Sequence, residues 1–115
     1  RLINFLNNKE TYQKIKIKIS KLKDYIEKNN IKKIDFMKID TEGYEFEVLL
    51  GLKNKINLVD IIMFEHHYDN MIKKGYTFRD INKLLIKNNF NKIYKSRMPF
   101  RKTFEYIYKR AEAIN

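Results

Sequence analysis

The sequence predicts an α/β fold, a mostly parallel sheet flanked by helices and closed by an antiparallel C-terminal hairpin. Three observations carry this. Apolar residues switch repeatedly between short strand-like runs and a helical spacing of three to four. Each early strand-like run leads through a polar turn into a helix-like segment, the order that builds βαβ units. The last two strand-like runs have no helix-length segment between them, so they pair antiparallel. With no repeat and no Pro/Gly/Ser-rich linker, residues 1–115 read as one continuous portion of a single domain.

Residues 1–12 carry little pattern and read as the end of a helix or loop. Lys14-Ile15-Lys16-Ile17-Lys18-Ile19 alternates strictly, which predicts a half-exposed strand with lysines guarding an edge. Ser20 offers a hydroxyl to cap a helix whose apolar positions Leu22, Tyr25 and Ile26 share one side, ending near Asn29-Asn30. Ile34 to Ile39 forms the next strand and stops at Asp40-Thr41-Glu42-Gly43, a cluster too polar and turn-prone to continue it. Tyr44, Val48, Leu49 and Leu52 then mark a helix that ends around Lys53-Asn54-Lys55, where cations suit the negative end of the helix dipole. Val59 to Phe64 is nearly all apolar, as in a strand covered on both faces, and is expected to give way to the polar Glu65-His66-His67-Tyr68-Asp69. Thr77-Phe78-Arg79-Asp80 has capping-box spacing and opens a helix with the stripe Phe78, Ile81, Leu84 and Leu85, stopping at Asn88-Asn89. Residues 91–95 and 103–108 are the hairpin strands.

Composition narrows the function classes. Sixteen Phe and Tyr and 43% hydrophobic residues supply one core. Without cysteine there are no disulfides and no thiolate metal sites, which fits a reducing cytoplasm, the expected location. No apolar run is long enough to span a membrane, and none is expected to bind one. The net charge of +11 invites a polyanion, yet twenty of the twenty-five basic residues are scattered Lys in a chain equally rich in Ile and Asn. A/T-rich codons explain that surplus, so nucleic acid is not the expected partner. The alternative to an enzyme is a basic α/β module binding nucleic acid or protein through Lys92, Lys95, Arg97, Arg101 and Lys102, with Tyr94, Phe100 and Phe104 stacking on bases. A divalent metal on His66, His67, Asp69, Asp40 and Glu65 is disfavoured, because adjacent strand histidines point to opposite faces. Nothing in the pattern specifies an oligomeric state.

Ligands of open α/β sheets bind beyond the carboxyl ends of parallel strands. If the strands ending at Asp40 and near Glu65 are neighbours, their polar ends share a rim that concentrates acids and both histidines of a basic chain. The residues of that rim carry a family resemblance. Lys38-Ile39-Asp40-Thr41-Glu42-Gly43-Tyr44-Glu45-Phe46-Glu47-Val48-Leu49-Leu50-Gly51 resembles the K-I-D-x-E-G-x-E-x-x-V-L-x-G segment of FkbM-type methyltransferases. It is followed by Ile61-Ile62-Met63-Phe64-Glu65-His66, similar to the family's apolar strand ending in Glu-His. Upstream, Ile19 to Ile26 is similar to the family's strand and Leu-Asp-Asp helix start, with Lys23 where the first acid is usual. The likeness spans residues 14–108.

The resemblance implies the C-terminal half of a class I, Rossmann-like methyltransferase fold with an antiparallel final strand. It also implies transfer of a methyl group from S-adenosylmethionine to an oxygen of a small-molecule or saccharide acceptor. Gly43, Gly51 and Gly75 lie too far apart for a Gly-rich cofactor turn. The main cofactor contacts are thus expected upstream of residue 1, with Asp40 the one candidate here, and the segment alone is expected to be inactive. On this reading Asp40 orients or deprotonates the acceptor, Glu42 lines the same turn, Glu65 shares proton transfer, and His66 and His67 bind the acceptor. Asp40 and Glu42 could instead cap the following helix, and Glu45 and Glu47 read as a solvated helix face.

Overall fold

The structure, a computed structural model, describes residues 13–112. The reading of residues 1–12 lies outside the described residues. Four strands, β1 (Ile34–Ile39), β2 (Val59–His67), β3 (Phe90–Arg97) and β4 (Thr103–Arg110), form one sheet in the order β1-β2-β4-β3. Among the described residues three helices accompany it, α1 (Leu22–Lys28), α2 (Glu45–Leu52) and α3 (Phe78–Lys87), and a 3-10 segment (Lys53–Leu58) leads from α2 into β2. No helix among the described residues is long and apolar enough to cross a membrane.

The expectation of a mostly parallel sheet is corrected. Only β1 and β2 run parallel, and β4 lies antiparallel to both β2 and β3. The final strand inserts between β2 and β3, so the sheet is mixed. A second correction concerns residues 14–19. They form no strand, and Ile15, Ile17 and Ile19 are 74%, 76% and 85% exposed. Alternation makes a segment able to pair, but a strand exists only where a neighbour supplies its ladder of hydrogen bonds. The helix that follows takes Lys21 as its N-cap, with no side-chain bond, in place of the expected Ser20. Within it Ile26 is buried while Tyr25 stays 55% exposed, so the inward stripe is narrower than its spacing implied.

The helix α3 forms for local reasons. The Thr77 hydroxyl accepts from the Asp80 amide at 3.4 Å, the Asp80 carboxylate accepts from the Thr77 amide at 2.8 Å, and Ile81 and Leu85 face inward. Its C-terminal end is closed by Asn88, whose side-chain amide donates to the Leu84 carbonyl at 2.8 Å. The core beneath is aromatic. Phe64 stacks on Tyr106 and Tyr108 at 5.5 and 5.7 Å, and Phe78 stacks on Tyr106 at 4.5 Å. A buried phenol needs a partner, and each has one: Tyr108 donates to Asn82 at 2.5 Å, and the Tyr106 and Tyr68 hydroxyls share a bond of 2.5 Å. Arg110 ties the last strand to the start of β2 through the Val59 and Ile56 carbonyls, with its guanidinium over Phe90 at 4.7 Å.

The two faces of the sheet differ. Along β2, Ile62, Phe64 and His66 are buried, whereas Ile61, Met63, Glu65 and His67 are only partly covered. Pairing places Phe36 beside Ile61 and Ile107 beside Met63, so all four share the less covered face, where Phe36 is 51% exposed.

Candidate active site

In-register pairing of Ile39 with Phe64 brings the chain leaving β1 at Asp40 alongside Glu65. The parallel strands therefore open on the same rim. Glu65, His66 and His67 all belong to β2, so the strand runs on beyond its apolar stretch. They stay in the strand because β4 pairs with them, Glu65 with Glu105, His66 with Phe104 and His67 with Thr103. Thus β2 outreaches β1, and the turn at Asp40 sits against its flank.

The predicted residues divide. Asp40, Thr41 and Glu42 are exposed on the turn, and Glu65 is partly covered. An open groove of about 630 Å³ runs beside β1, walled by Leu22, Phe36, Met37 and Val48 and ending at Asp40 and Thr41. His66 and His67 point to opposite faces, as adjacent strand residues must. The imidazole of His67 lies within 3.0 Å of the Thr103 hydroxyl. His66 is 2% exposed beneath Tyr68, Tyr76 and Phe78, with ring centroids 4.6, 5.8 and 5.7 Å away. Its ring thus presents no open surface to a molecule from outside. Burial, with Lys74 adding repulsion, pushes its pKa down to about 4, so the ring is neutral at pH 7. Its Nδ1 has no hydrogen-bond partner among the described residues. Nor do any three His, Asp or Glu side chains among those residues group as metal ligands.

Glu45 departs most from its expected place on a solvated face. It is 1% exposed, and its carboxylate accepts from the Thr41 amide at 3.2 Å, from the Gly43 amide at 3.3 and 3.1 Å, and from the Tyr76 hydroxyl at 2.5 Å. Burial by itself would raise this carboxyl, but the bonds from Tyr76 and the backbone amides outweigh it and hold the pKa below the usual value. Tyr76 is driven the other way, well above an ordinary phenol, by its own burial and by the adjacent carboxylate. Sequence reasoning missed Tyr76 altogether. The signal available for Glu45 was an acid in the first helical turn shortly after a glycine, a position that favours a carboxylate reaching back to free amides, and no local pattern singles out Tyr76 as its partner.

The turn also relies on Gly43, whose φ is 106°. A Cβ there would meet the Lys73 carbonyl oxygen at 2.5 Å and the Ile72 Cγ2 at 2.8 Å, so only glycine admits the loop between β2 and α3 this closely. That loop and the turn enclose a second cleft of about 720 Å³, lined among others by Tyr44, Glu47, Asn70, Lys73 and Lys74.

In the cationic hairpin Tyr94 is 47% exposed, while other rings are met by lysines. Lys95 lies over Phe104 at 4.6 Å, and Lys92 lies 5.8 and 6.0 Å from the rings of Tyr106 and Phe78, so these aromatic faces are already covered by the chain's own ammonium groups. Phe100 alone of the expected stacking set is fully exposed.

Comparison with known proteins adds one positive finding: the family model described as Methyltransferase FkbM domain matches residues 3–94. No curated protein and no solved structure matches. The match starts ahead of the likeness at residues 14–108 and stops within β3, leaving β4 outside it. A parallel strand pair whose rim bears the Asp-Thr-Glu-Gly turn, within a match over most of the sequence, makes this chain a member of the FkbM methyltransferase domain family.

Proposed function

We propose that the protein is an S-adenosylmethionine-dependent O-methyltransferase acting on a hydroxyl of a small molecule or saccharide, with Asp40 as the group that meets the acceptor. The observation that carries this reading is the in-register rim, where exposed Asp40 leaves β1 beside Glu65 of the parallel neighbour. Family membership supplies the reaction class.

The residues present fit one side of the cofactor. The groove beside β1 offers an apolar wall ending in a carboxylate, suited to a nucleoside edge with a polar rim. The turn's amides are not free to help, since Thr41 and Gly43 already donate to Glu45. The partly covered sheet face and the exposed Phe36 support a larger domain in which further chain provides the rest of the cofactor site, and on this reading residues 1–115 alone are inactive. When bound, S-adenosylmethionine supplies a methyl group activated as a sulfonium. What remains for the protein is alignment and proton removal. Asp40 holds the acceptor hydroxyl and takes its proton as the oxygen attacks. On this reading Glu42 and Glu65 border the same position, and His67, on the same face as Glu65, contacts the acceptor. His66 lies on the opposite face, in the core among Tyr68, Tyr76 and Phe78.

The test uses the complete protein with S-adenosylmethionine and a panel of simple saccharides, reading release of S-adenosylhomocysteine. Replacing Asp40→Asn is expected to lower turnover by roughly 10²-fold or more, the usual contribution of a positioned acid–base group. Unchanged turnover removes Asp40 from this role. Absence of any turnover, with salt-sensitive binding to nucleic acid in its place, favours the non-enzymatic module.

A further inference from the structure

We infer that Glu45 and Tyr76 are a positioning pair, which fixes the backbone of the turn carrying Asp40 and couples that turn to the loop between β2 and α3. The inference deepens the reading above and rests on Asp40 acting at the rim.

An ionised carboxylate placed in the interior survives only when its lone pairs are filled. Glu45 is filled from two separate parts of the chain. Thr41 and Gly43 donate from the turn itself, and Tyr76 donates from the far end of the β2–α3 loop. Tyr76 is anchored independently, 7% exposed and packed against Phe46 at 5.4 Å and His66 at 5.8 Å. The side chain of Glu45 therefore bridges a fixed phenol and a turn that needs holding.

The turn needs holding because its backbone is unfavourable on its own. Glu42 has a φ of 54° and Gly43 a φ of 106°, two consecutive residues in left-handed space, the first of them not glycine. Such a conformation persists where its surroundings over-determine it. Here the carboxylate captures the amides on either side of Glu42, and the Lys73 carbonyl closes over Gly43. Glu45 and Tyr76 themselves are buried and reach no acceptor. Their effect on chemistry passes through the direction in which Asp40 and Glu42 leave the strand. This also explains why the acid is glutamate: a shorter aspartate at the same helical position falls one methylene short of spanning both amides and the phenol.

The experiment pairs a mild variant with two readouts. Tyr76→Phe keeps the ring and its packing and removes a single donor. In the complete protein, hydrogen exchange at the Thr41 and Gly43 amides is expected to quicken about tenfold, the loss of one ordinary charge-assisted bond, while amides of α3 keep their protection. With S-adenosylmethionine and the saccharide panel, kcat is expected to fall about tenfold with KM nearly constant, and Glu45→Gln is expected to act in the same direction. In an Asp40→Asn background, Tyr76→Phe is expected to add little, because both changes act on one group. Exchange that is unaltered in Tyr76→Phe overturns the inference, as does a loss that multiplies fully with that of Asp40→Asn. If Asp40→Asn is itself fully active the functional reading falls, and the exchange measurement still decides whether the pair holds the turn.

Discussion

His66 shows how one buried side chain sets a property of the protein as a whole. In the unfolded chain it takes up a proton near pH 6.5, whereas in the fold burial delays this until about pH 4. Between those values the unfolded state binds a proton that the folded state refuses. Stability is therefore full above pH 6.5 and declines as pH falls through the window, by roughly 3 kcal/mol in total. Glu45, with its pKa lowered, acts in the same direction but further into acid: its share is present above the ordinary carboxylate range and lost as pH drops through its lower folded value. Denaturant melts of the native protein and of His66→Phe between pH 7 and pH 4 check this. The native protein should lose stability across the window and the variant should lose much less. Equal slopes would show that His66 does not carry the effect. From sequence, the polar residues of the rim were visible as a set, but their depth was not. Adjacent Glu65, His66 and His67 look alike on paper, and only alternation along a paired strand separates a buried ring from partly covered ones.

At the level of elements, legibility followed the range of the interactions involved. The helix α3 was readable because its start, stripe and stop are written within a dozen residues, and the Thr77/Asp80 box is present as expected. Thr77→Ala should cost about 1 kcal/mol, the usual worth of an N-cap, and a thermal or urea melt reads it. A loss near zero would mean that packing of Ile81 and Leu85, and not the cap, fixes the helix start. Elements decided by distant partners were less readable. The segment Lys14 to Ile19 has a perfect alternation and no ladder, while β2 runs past its apolar stretch because Thr103, Phe104 and Glu105 arrive to pair with it. The strands β3 and β4 could be recognised one by one, but that the second slots beside β2 is a fact of topology to which local pattern is blind.

For the whole molecule, that arrangement makes β4 the member on which the sheet depends. It is bonded to β2 on one side and β3 on the other, and it supplies Tyr106 and Tyr108, both fully buried. A chain shortened to end at residue 102 should lose its cooperative melt, though it retains all of the family match, because β3 then has no neighbour and Phe64 has neither of its stacking partners. Retention of a sharp transition by that shortened chain would show that β1 and β2 with their helices suffice. Of the four described strands β4 comes last in chain order, so it leaves the ribosome after the other three. The growing polypeptide must therefore keep Phe64 and Phe90 waiting until β4 has emerged, which makes the chain at that stage a natural client for chaperones that shield aromatic surface.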